Sequence, residues 1–174
     1  MNYRGYAYRA HNPRWSWRPL SGEGAAKYGG RFNAKGVAAL YLSLDPSTAI
    51  LEASQGFAFK LQPLTLVTYE VDCADIVDLR SETELRAWDI EPREFHCPWK
   101  LLAEQGRPVP SWALAERLRA SGQAGVVAPS FAPGATAANV NLVLCTWGDQ
   151  PHHKVAVIDD EGRLPRDASS WSLR

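Results

Sequence analysis

Prolines and glycines interrupt this sequence throughout its length and limit it to short helices and strands. The 174 residues include 12 prolines and 13 glycines, which are spread over the whole chain. Such spacing predicts short elements joined by many ordered loops. Strands and helices follow one another too irregularly for repeated βαβ units, so the pattern predicts an α+β fold.

Runs of β-branched, aromatic and apolar residues predict six strands. They cover Tyr6–Arg9, Ala39–Ser43, Leu64–Val71, Gly125–Ala128, Asn141–Trp147 and Lys154–Ile158. One helix is predicted to begin with Asp45 as N-cap and Pro46 in its first turn and to end at Gly56. Two more are predicted at Ser81–Trp88 and Ser111–Ser121, and residues 11–36, with Trp15 and Trp17, are predicted to form a long loop.

Composition indicates one globular domain over residues 1–174. Hydrophobic residues make up 45% and charged residues 22% of the chain, as is ordinary for such proteins. No apolar run approaches the roughly 18 residues of a membrane helix. The N-terminus lacks the apolar core of a signal peptide, which predicts a cytoplasmic protein. The three cysteines and four histidines show no spacing typical of disulfides or metal sites, so we expect no metal.

The net charge of zero hides an asymmetry along the chain. Residues 1–35 carry seven Lys or Arg against one acid, Glu23, whereas residues 36–105 carry five against twelve. The basic segment suits an anionic ligand such as a pyrophosphate. Alternatively, the two segments neutralise each other in the fold. The chain has no dense basic run or recognition-helix pattern, so direct nucleic-acid binding is not expected.

Tyr28-Gly29-Gly30-Arg31 combines close backbone approach with a guanidinium that matches phosphate oxygens. The segment fits neither a Walker loop nor a dinucleotide-binding glycine motif. Taken alone it is also compatible with a turn that carries an exposed arginine. Tyr41 follows within a short apolar strand. It is either a core tyrosine or a ring that stacks on a planar heterocycle at a pocket wall.

Glu52 is the only charged residue between Pro46 and Phe59. Its neighbours on the predicted helix include Ala49 and Ala53, which leave space for a ligand. Such an acid lies either at the solvent edge or in a functional site. A ligand-facing carboxylate can stabilise an oxocarbenium-like centre, as glycosyl transfer requires.

Ser130 follows a predicted strand without the flanking glycines of a nucleophile elbow. The sequence therefore argues against a hydrolase nucleophile at this position. Two interpretations stay open, a hydrogen-bond donor at a strand end and an ordinary turn serine.

Together these segments resemble the RES domain, a family named for an Arg, a Glu and a Ser that stand here as Arg31, Glu52 and Ser130. The resemblance spans about residues 6–158, followed by a tail at residues 164–174. Phe32 stands where a tryptophan is common in the family. The segments that carry the resemblance are Tyr8–Arg9, Leu20–Ala25, Gly29–Asn33, Gly36, Leu40–Ser43, Thr48–Ala49, Glu52, Ser130 and Asn141–Leu144.

The resemblance implies the toxin of a bacterial RES–Xre toxin–antitoxin pair. Its fold would be ADP-ribosyltransferase-like, with a split β core and flanking helices around an NAD⁺ cleft. NAD⁺ would be the substrate, cleaved at the nicotinamide–ribose bond, with ADP-ribose passed to a target protein, water or phosphate. The implied partner is an Xre-type antitoxin that occludes the cleft.

The resemblance also implies roles for individual residues. Glu52, Arg31 and Tyr41 would be catalytic, with Arg31 on a phosphate and Tyr41 at the nicotinamide ribose. Ser130 would orient the ribose or the carboxamide. The remaining expected NAD⁺-binding residues are Tyr28, Arg9 and Asn33.

Two other classes of function remain compatible with the sequence. One is a catalytically silent module that binds NAD⁺ or another nucleotide within a regulatory complex. The other is a structural interaction protein, for which no convergence of Arg31, Tyr41 and Glu52 would be needed.

Overall fold

The computed structural model describes residues 1–55 and 61–169. In chain order the elements are β1 (Tyr3–His11), a 3-10 turn (Pro13–Trp15), α1 (Glu23–Tyr28), β2 (Leu40–Ser43), α2 (Pro46–Ser54), β3 (Thr65–Cys73), β4 (Ile76–Asp78), α3 (Glu82–Ala87), α4 (Pro92–Phe95), α5 (Trp99–Glu104), α6 (Pro110–Ala120), β5 (Gly125–Pro129), β6 (Val140–Leu144) and β7 (His153–Val157). No helix in these ranges is long and apolar enough to cross a membrane.

The seven strands form one mixed sheet in the order β4-β5-β6-β2-β1-β3-β7. β4 and β5 are parallel, and the other neighbours are antiparallel. β1 pairs with β3 along its whole length, but it meets β2 at one position, Tyr8 opposite Ser43. The sheet is therefore nearly divided into a four-stranded part and a three-stranded part. With its flanking helices, it confirms the predicted α+β class.

Both faces of the four-stranded part are buried. Leu40 and Leu42 of β2 belong to a core on one side of the sheet. Tyr41 and Val143 pack on the other side, in a cluster that includes Leu114 of α6. This alternation follows from the period of two in a strand, which sends successive side chains to opposite faces. Tyr41 thereby points toward the side of the sheet on which α4 and α6 lie.

Helix α2 begins as the sequence predicts. The Asp45 carboxylate accepts a hydrogen bond from the Thr48 amide over 2.9 Å, and Pro46 occupies the first turn. The last helical residue is Ser54, followed by Gln55 in the left-handed conformation with φ of 47°. The predicted end at Gly56 lies outside the described residues.

The prediction of one long loop over residues 11–36 is wrong in part. This segment contains the 3-10 turn Pro13–Trp15 and the helix α1. The glycines around α1 conceal it in the sequence, although Glu23 in its first turn and Lys27 in its last turn suit the helix dipole. Residues 11–36 therefore contain regular secondary structure and do not form one long loop.

Three further elements were not predicted, namely β4, α4 and α5, each of six residues or fewer. Predicted strand ends also shift by one to three residues, as where Asn141–Trp147 becomes β6 at Val140–Leu144. In the predicted tail, Leu164 packs against the core. Residues 170–174 of the tail lie outside the described part of the chain.

Candidate active site

A cleft of about 780 Å³ lies beside the junction of β1 and β2. A smaller cavity of about 250 Å³ continues it between the two strands, and both are lined by Arg9, Tyr41, Glu52 and Asn141. Because β1 and β2 pair at one position and then separate, a space remains between them, and the smaller cavity occupies it. Five of the seven site residues predicted from the sequence line the larger cleft, namely Arg9, Tyr28, Arg31, Tyr41 and Glu52.

Glu52 lies in the last turn of α2, where its carboxylate is held by two donors. The Ser130 hydroxyl donates to Glu52 Oε1 over 2.7 Å. The Asn141 side-chain amide donates to the same oxygen. In the described part of the chain no hydrogen-bond donor reaches Oε2. The carboxylate is therefore fixed through one oxygen, and the other remains available to a ligand.

Asn141 is itself held from the neighbouring strand. Ser43 of β2 lies directly opposite Asn141 of β6, and the Ser43 hydroxyl donates to Asn141 Oδ1 over 2.8 Å. Asn141 belongs to a segment that resembles the RES domain, but the resemblance implied no site role for it. The signal in the sequence is a single polar residue within the otherwise apolar strand β6.

Arg31 is anchored by the backbone of a distant segment. Its Nη1 donates to the carbonyls of Phe95 and Cys97, each over 2.8 Å. The guanidinium carbon lies 3.8 Å from the centre of the Phe131 ring, a cation–π arrangement. Burial lowers the pKa of Arg31, while the nearby Cys97, Glu52 and Tyr41 act in the opposite direction. A fixed cation thus lies in the same cleft as the Glu52 carboxylate.

The sequence of this chain matches the family model of the RES domain over residues 6–167. The chain belongs to the RES domain family. No curated protein matches it. A chain in the crystal structure of the M. tuberculosis MbcT–MbcA toxin–antitoxin complex has a similar fold. The TM-score is 0.59 at 20% identity, and the match covers 91% of this chain and 84% of that chain.

The Arg, Glu and Ser that correspond to the name of the RES domain occupy one region of the structure. Arg31 and Glu52 line the cleft, and Ser130 contacts Glu52 directly. The Ser130 hydroxyl also accepts a hydrogen bond from the Ala132 amide over 3.2 Å. Ser130 therefore contributes to the site through Glu52, and its predicted contact with NAD⁺ stays a prediction.

The Tyr41 hydroxyl makes two hydrogen bonds within this RES domain. The hydroxyl donates to Asn33 Oδ1 over 2.8 Å and accepts from the Phe32 amide over 2.9 Å. Burial raises the pKa of Tyr41, so the phenol stays neutral. A Cβ on Gly30 would collide with this hydroxyl. The glycine is therefore needed for the close approach of the turn to Tyr41.

Asn33 supports the Gly29–Asn33 turn from inside the RES domain. Its side chain is 3% exposed, and its amide donates to the carbonyls of Ala25, Ala34 and Val37. With its oxygen bound to Tyr41, the whole side chain is engaged within the protein. Asn33 thus positions Tyr41, and its predicted contact with NAD⁺ stays a prediction.

Arg9 and Tyr28 lie where the cleft continues toward the N-terminal segment. Both line a further cavity of about 430 Å³, together with Trp15 and Lys27. Burial lowers the pKa of Arg9, and its Nη1 donates to the Ser21 carbonyl over 3.2 Å. Tyr28 is 67% exposed at the rim. The main cleft and this cavity together give the RES domain a long basic groove.

The basic N-terminal segment is only partly neutralised by the acidic middle segment. Arg4 pairs with Asp72 at 3.7 Å across the two segments, whereas Arg18 pairs with Glu23 inside its own segment. In the described ranges no carboxylate lies within ion-pair distance of Arg9, Lys27 or Arg31.

Several residues of the RES cleft were not predicted as site residues. Trp99 and Lys100 of α5 line it beside Arg31, and Phe131 lies under the guanidinium. Helix α5 was itself missed, so the sequence offered no reason to place these side chains near Arg31. Within residues 1–55 and 61–169 no cluster of three His, Cys, Asp or Glu residues could hold a metal ion.

Proposed function

We propose that this RES domain cleaves the nicotinamide–ribose bond of NAD⁺ and transfers ADP-ribose to an acceptor. The observation that carries the proposal is the Glu52 carboxylate, held on Oε1 by Ser130 and Asn141 in a cleft that also contains the anchored guanidinium of Arg31. The arrangement combines one fixed negative charge with one fixed positive charge, which suits a substrate that is cationic at one end and anionic along its middle.

The reaction makes one demand that Glu52 can meet. Nicotinamide leaves as a neutral base, so positive charge develops on the ribose as the glycosidic bond breaks. A preorganised carboxylate stabilises this charge without having to reorganise, which contributes on the order of several kcal/mol in a site shielded from water. The bond that forms joins the ribose carbon to the acceptor oxygen or nitrogen, and the acceptor proton leaves to solvent.

Arg31 is proposed to bind a phosphate of the dinucleotide. Its Nη1 is occupied by the Phe95 and Cys97 carbonyls, which leaves the other donors of the planar fork for phosphate oxygens. Tyr41 is proposed to contact the nicotinamide riboside with its ring, since its hydroxyl is engaged with Asn33 and Phe32.

The adenosine end of NAD⁺ is proposed to extend toward the cavity next to Arg9 and Tyr28. This cavity combines the cation of Lys27 with the ring of Trp15, which is 65% exposed. Exposed aromatic rings stack on bases, and nearby cations attract phosphates. Arg9 and Lys27, which form no ion pair with a carboxylate of the described residues, would then lie beside the dinucleotide.

The biological role proposed is that of a toxin restrained by an antitoxin. Membership of the RES family and the shared fold with a chain of a toxin–antitoxin complex support it. Uncontrolled consumption of NAD⁺ would arrest the growth of the cell that makes the enzyme. We propose an Xre-type antitoxin that covers the cleft, because an acidic segment could pair with Arg9 and Arg31.

The experiment is to incubate the purified protein, free of any partner, with NAD⁺ and to follow nicotinamide by chromatography. Release of nicotinamide supports the proposal, and added phosphate or cell lysate then identifies the acceptor by the rate and by the form of ADP-ribose recovered. Binding of NAD⁺ without release under all three conditions would contradict it and would indicate a catalytically silent nucleotide-binding module.

A further inference from the structure

The side chain of Asn141 connects the candidate catalytic carboxylate to the framework of the sheet. Asn141 Oδ1 accepts from the Ser43 hydroxyl over 2.8 Å, and its amide nitrogen donates to Glu52 Oε1. The opposite amide orientation would bring an amide oxygen against the Glu52 carboxylate, where two acceptors repel. The Glu52 carboxylate therefore selects the amide nitrogen, and the Ser43 hydroxyl holds the amide oxygen on the opposite side.

These residues lie at the junction of the two parts of the sheet. Ser43 pairs with Asn141 on one side and with Tyr8 on the other, where β1 and β2 meet at a single position. The Asn141 amide is thus held by its own strand β6 and by Ser43 of the neighbouring strand β2. Glu52, in contrast, belongs to the last turn of α2, just before Gln55. A carboxylate at a helix end gains a fixed orientation from a donor on a rigid strand.

We infer that Asn141 is a positioning residue for the reaction, and that Ser43 holds the Asn141 side chain in place so that Glu52 presents Oε2 to the substrate. This inference rests on the proposed function. Asn141 and Ser130 occupy the lone pairs of Oε1 from different elements, β6 and the segment after β5. With Oε1 held on two sides, rotation of the carboxylate would break both hydrogen bonds.

The decisive variant is Asn141→Asp, which keeps the shape and replaces the amide donor by a carboxylate. When both carboxylates are ionised, they repel, and Glu52 is displaced. When the pair shares one proton, a hydrogen bond between the two oxygens is restored. The other charged and titratable groups among the described residues that line this cleft are Arg9 of β1, Tyr28 of α1, Arg31, Tyr41 of β2 and Lys100 of α5. The two arginines stay charged and Tyr41 stays neutral across the acid range.

The experiment measures nicotinamide release from NAD⁺ between about pH 5 and pH 8. For Asn141→Asp we expect kcat to fall about 10²-fold at pH 8 and to recover to within about tenfold of the wild type near pH 5, with KM little changed. The matched control is Asn139→Asp, which adds the same charge two residues away, where the side chain contacts Thr48 and Thr136. This control should show the pH profile of the wild type.

A second variant keeps the inference testable if Asn141→Asp does not fold. Ser43→Ala keeps Asn141 but removes the hydroxyl that holds its amide oxygen, so the side chain is less firmly fixed and we expect kcat to fall about three- to tenfold at unchanged KM. Wild-type kcat in both variants, or a loss in Asn141→Asp that is the same at every pH, would overturn the inference.

Failure of the inference and failure of the proposed function give different results. If the wild type releases no nicotinamide at any pH, the proposed function is wrong. If the wild type is active and Asn141→Asp has the same profile, only the inference is wrong. The melting temperature of Asn141→Asp, measured over the same pH range without NAD⁺, gives a readout independent of activity. It should fall relative to the wild type as the shared proton is lost on raising the pH, and a constant difference would show that the two carboxylates do not interact.

Discussion

The hydroxyl of Ser130 donates to Glu52 Oε1 over 2.7 Å and joins residues 78 positions apart. One belongs to the last turn of α2 and the other to the segment that follows β5. Because the donor and the carboxylate lie on separate elements, their contact depends on the assembled sheet. The site is thus a product of the whole fold and not of a local motif.

Ser130→Ala should lower kcat for NAD⁺ cleavage about tenfold while KM changes little. The variant removes one of the two hydrogen bonds on Oε1 and leaves the bond from Asn141, so Glu52 is less firmly oriented. Steady-state nicotinamide release measures both constants. Ser121→Ala, at the exposed end of α6, is the matched control. A rise in KM without loss of kcat would instead indicate that Ser130 binds substrate directly.

Arg31→Lys should weaken NAD⁺ binding by about tenfold or more. Lysine keeps the charge but cannot bond two carbonyls, lie flat on Phe131 and still present a fork to phosphate. Calorimetric titration with NAD⁺ gives the affinity, and circular dichroism checks that the variant is folded. Arg4→Lys, at an exposed position on β1, should bind as the wild type does. Full affinity in Arg31→Lys would place the phosphate site elsewhere.

The protein should lose stability on acidification between about pH 6.5 and pH 4 because of His11. This side chain is 5% exposed and lies 2.7 Å from the Tyr69 hydroxyl, which donates to the Pro19 carbonyl. Burial, together with the charge of Arg9, lowers the pKa of His11 from 6.5 to about 4. Between these two pH values the unfolded chain binds a proton on His11 that the folded chain excludes. The free energy of unfolding is therefore unaffected by His11 above pH 6.5 and decreases as the pH falls toward 4.

Urea unfolding at several pH values measures this effect, which is at most about 3 kcal/mol. His11→Gln keeps a donor for Tyr69 but cannot titrate, so its free energy of unfolding should vary less over this window. Equal pH dependence in the two proteins would show that other groups cause the acid sensitivity.

An antitoxin that covers the cleft should compete with NAD⁺. Titration of NAD⁺ against the preformed complex, followed by the antitoxin affinity, distinguishes occlusion from action at a distance. We expect the apparent affinity to fall as NAD⁺ approaches saturation, since both ligands would use Arg9 and Arg31. Antitoxin affinity that is unchanged at saturating NAD⁺ would contradict direct occlusion.

Much of the sheet could be predicted from the sequence because burial imposes clear patterns on it. The apolar run at Leu40–Ser43 and the alternation in Thr65–Cys73 both indicate strands. Asp45 and Pro46 mark the start of α2 through a cap and a fixed φ. Glu52 stands out because it is the only charged residue between Pro46 and Phe59, which places it either at the solvent edge or in a functional site.

The rest depends on contacts between distant residues. Nothing near Arg31 in the sequence indicates that the carbonyls of Phe95 and Cys97 anchor it. The part played by Asn141 becomes visible once β6 pairs with β2 and brings Ser43 opposite it. The single Tyr8–Ser43 pair, which opens the second cavity, is likewise a property of the assembled sheet.

The catalytic role of the Glu52 charge is tested by comparing wild type, Glu52→Gln and Glu70→Gln at saturating NAD⁺. Glu70 lies exposed on β3, so Glu70→Gln makes the same chemical change away from the cleft. We predict that the wild type and Glu70→Gln release nicotinamide at equal rates. Glu52→Gln should be at least about 10²-fold slower while calorimetry shows NAD⁺ binding largely retained, because the charge acts in the transition state. Release by Glu52→Gln at the wild-type rate would contradict a catalytic role for Glu52.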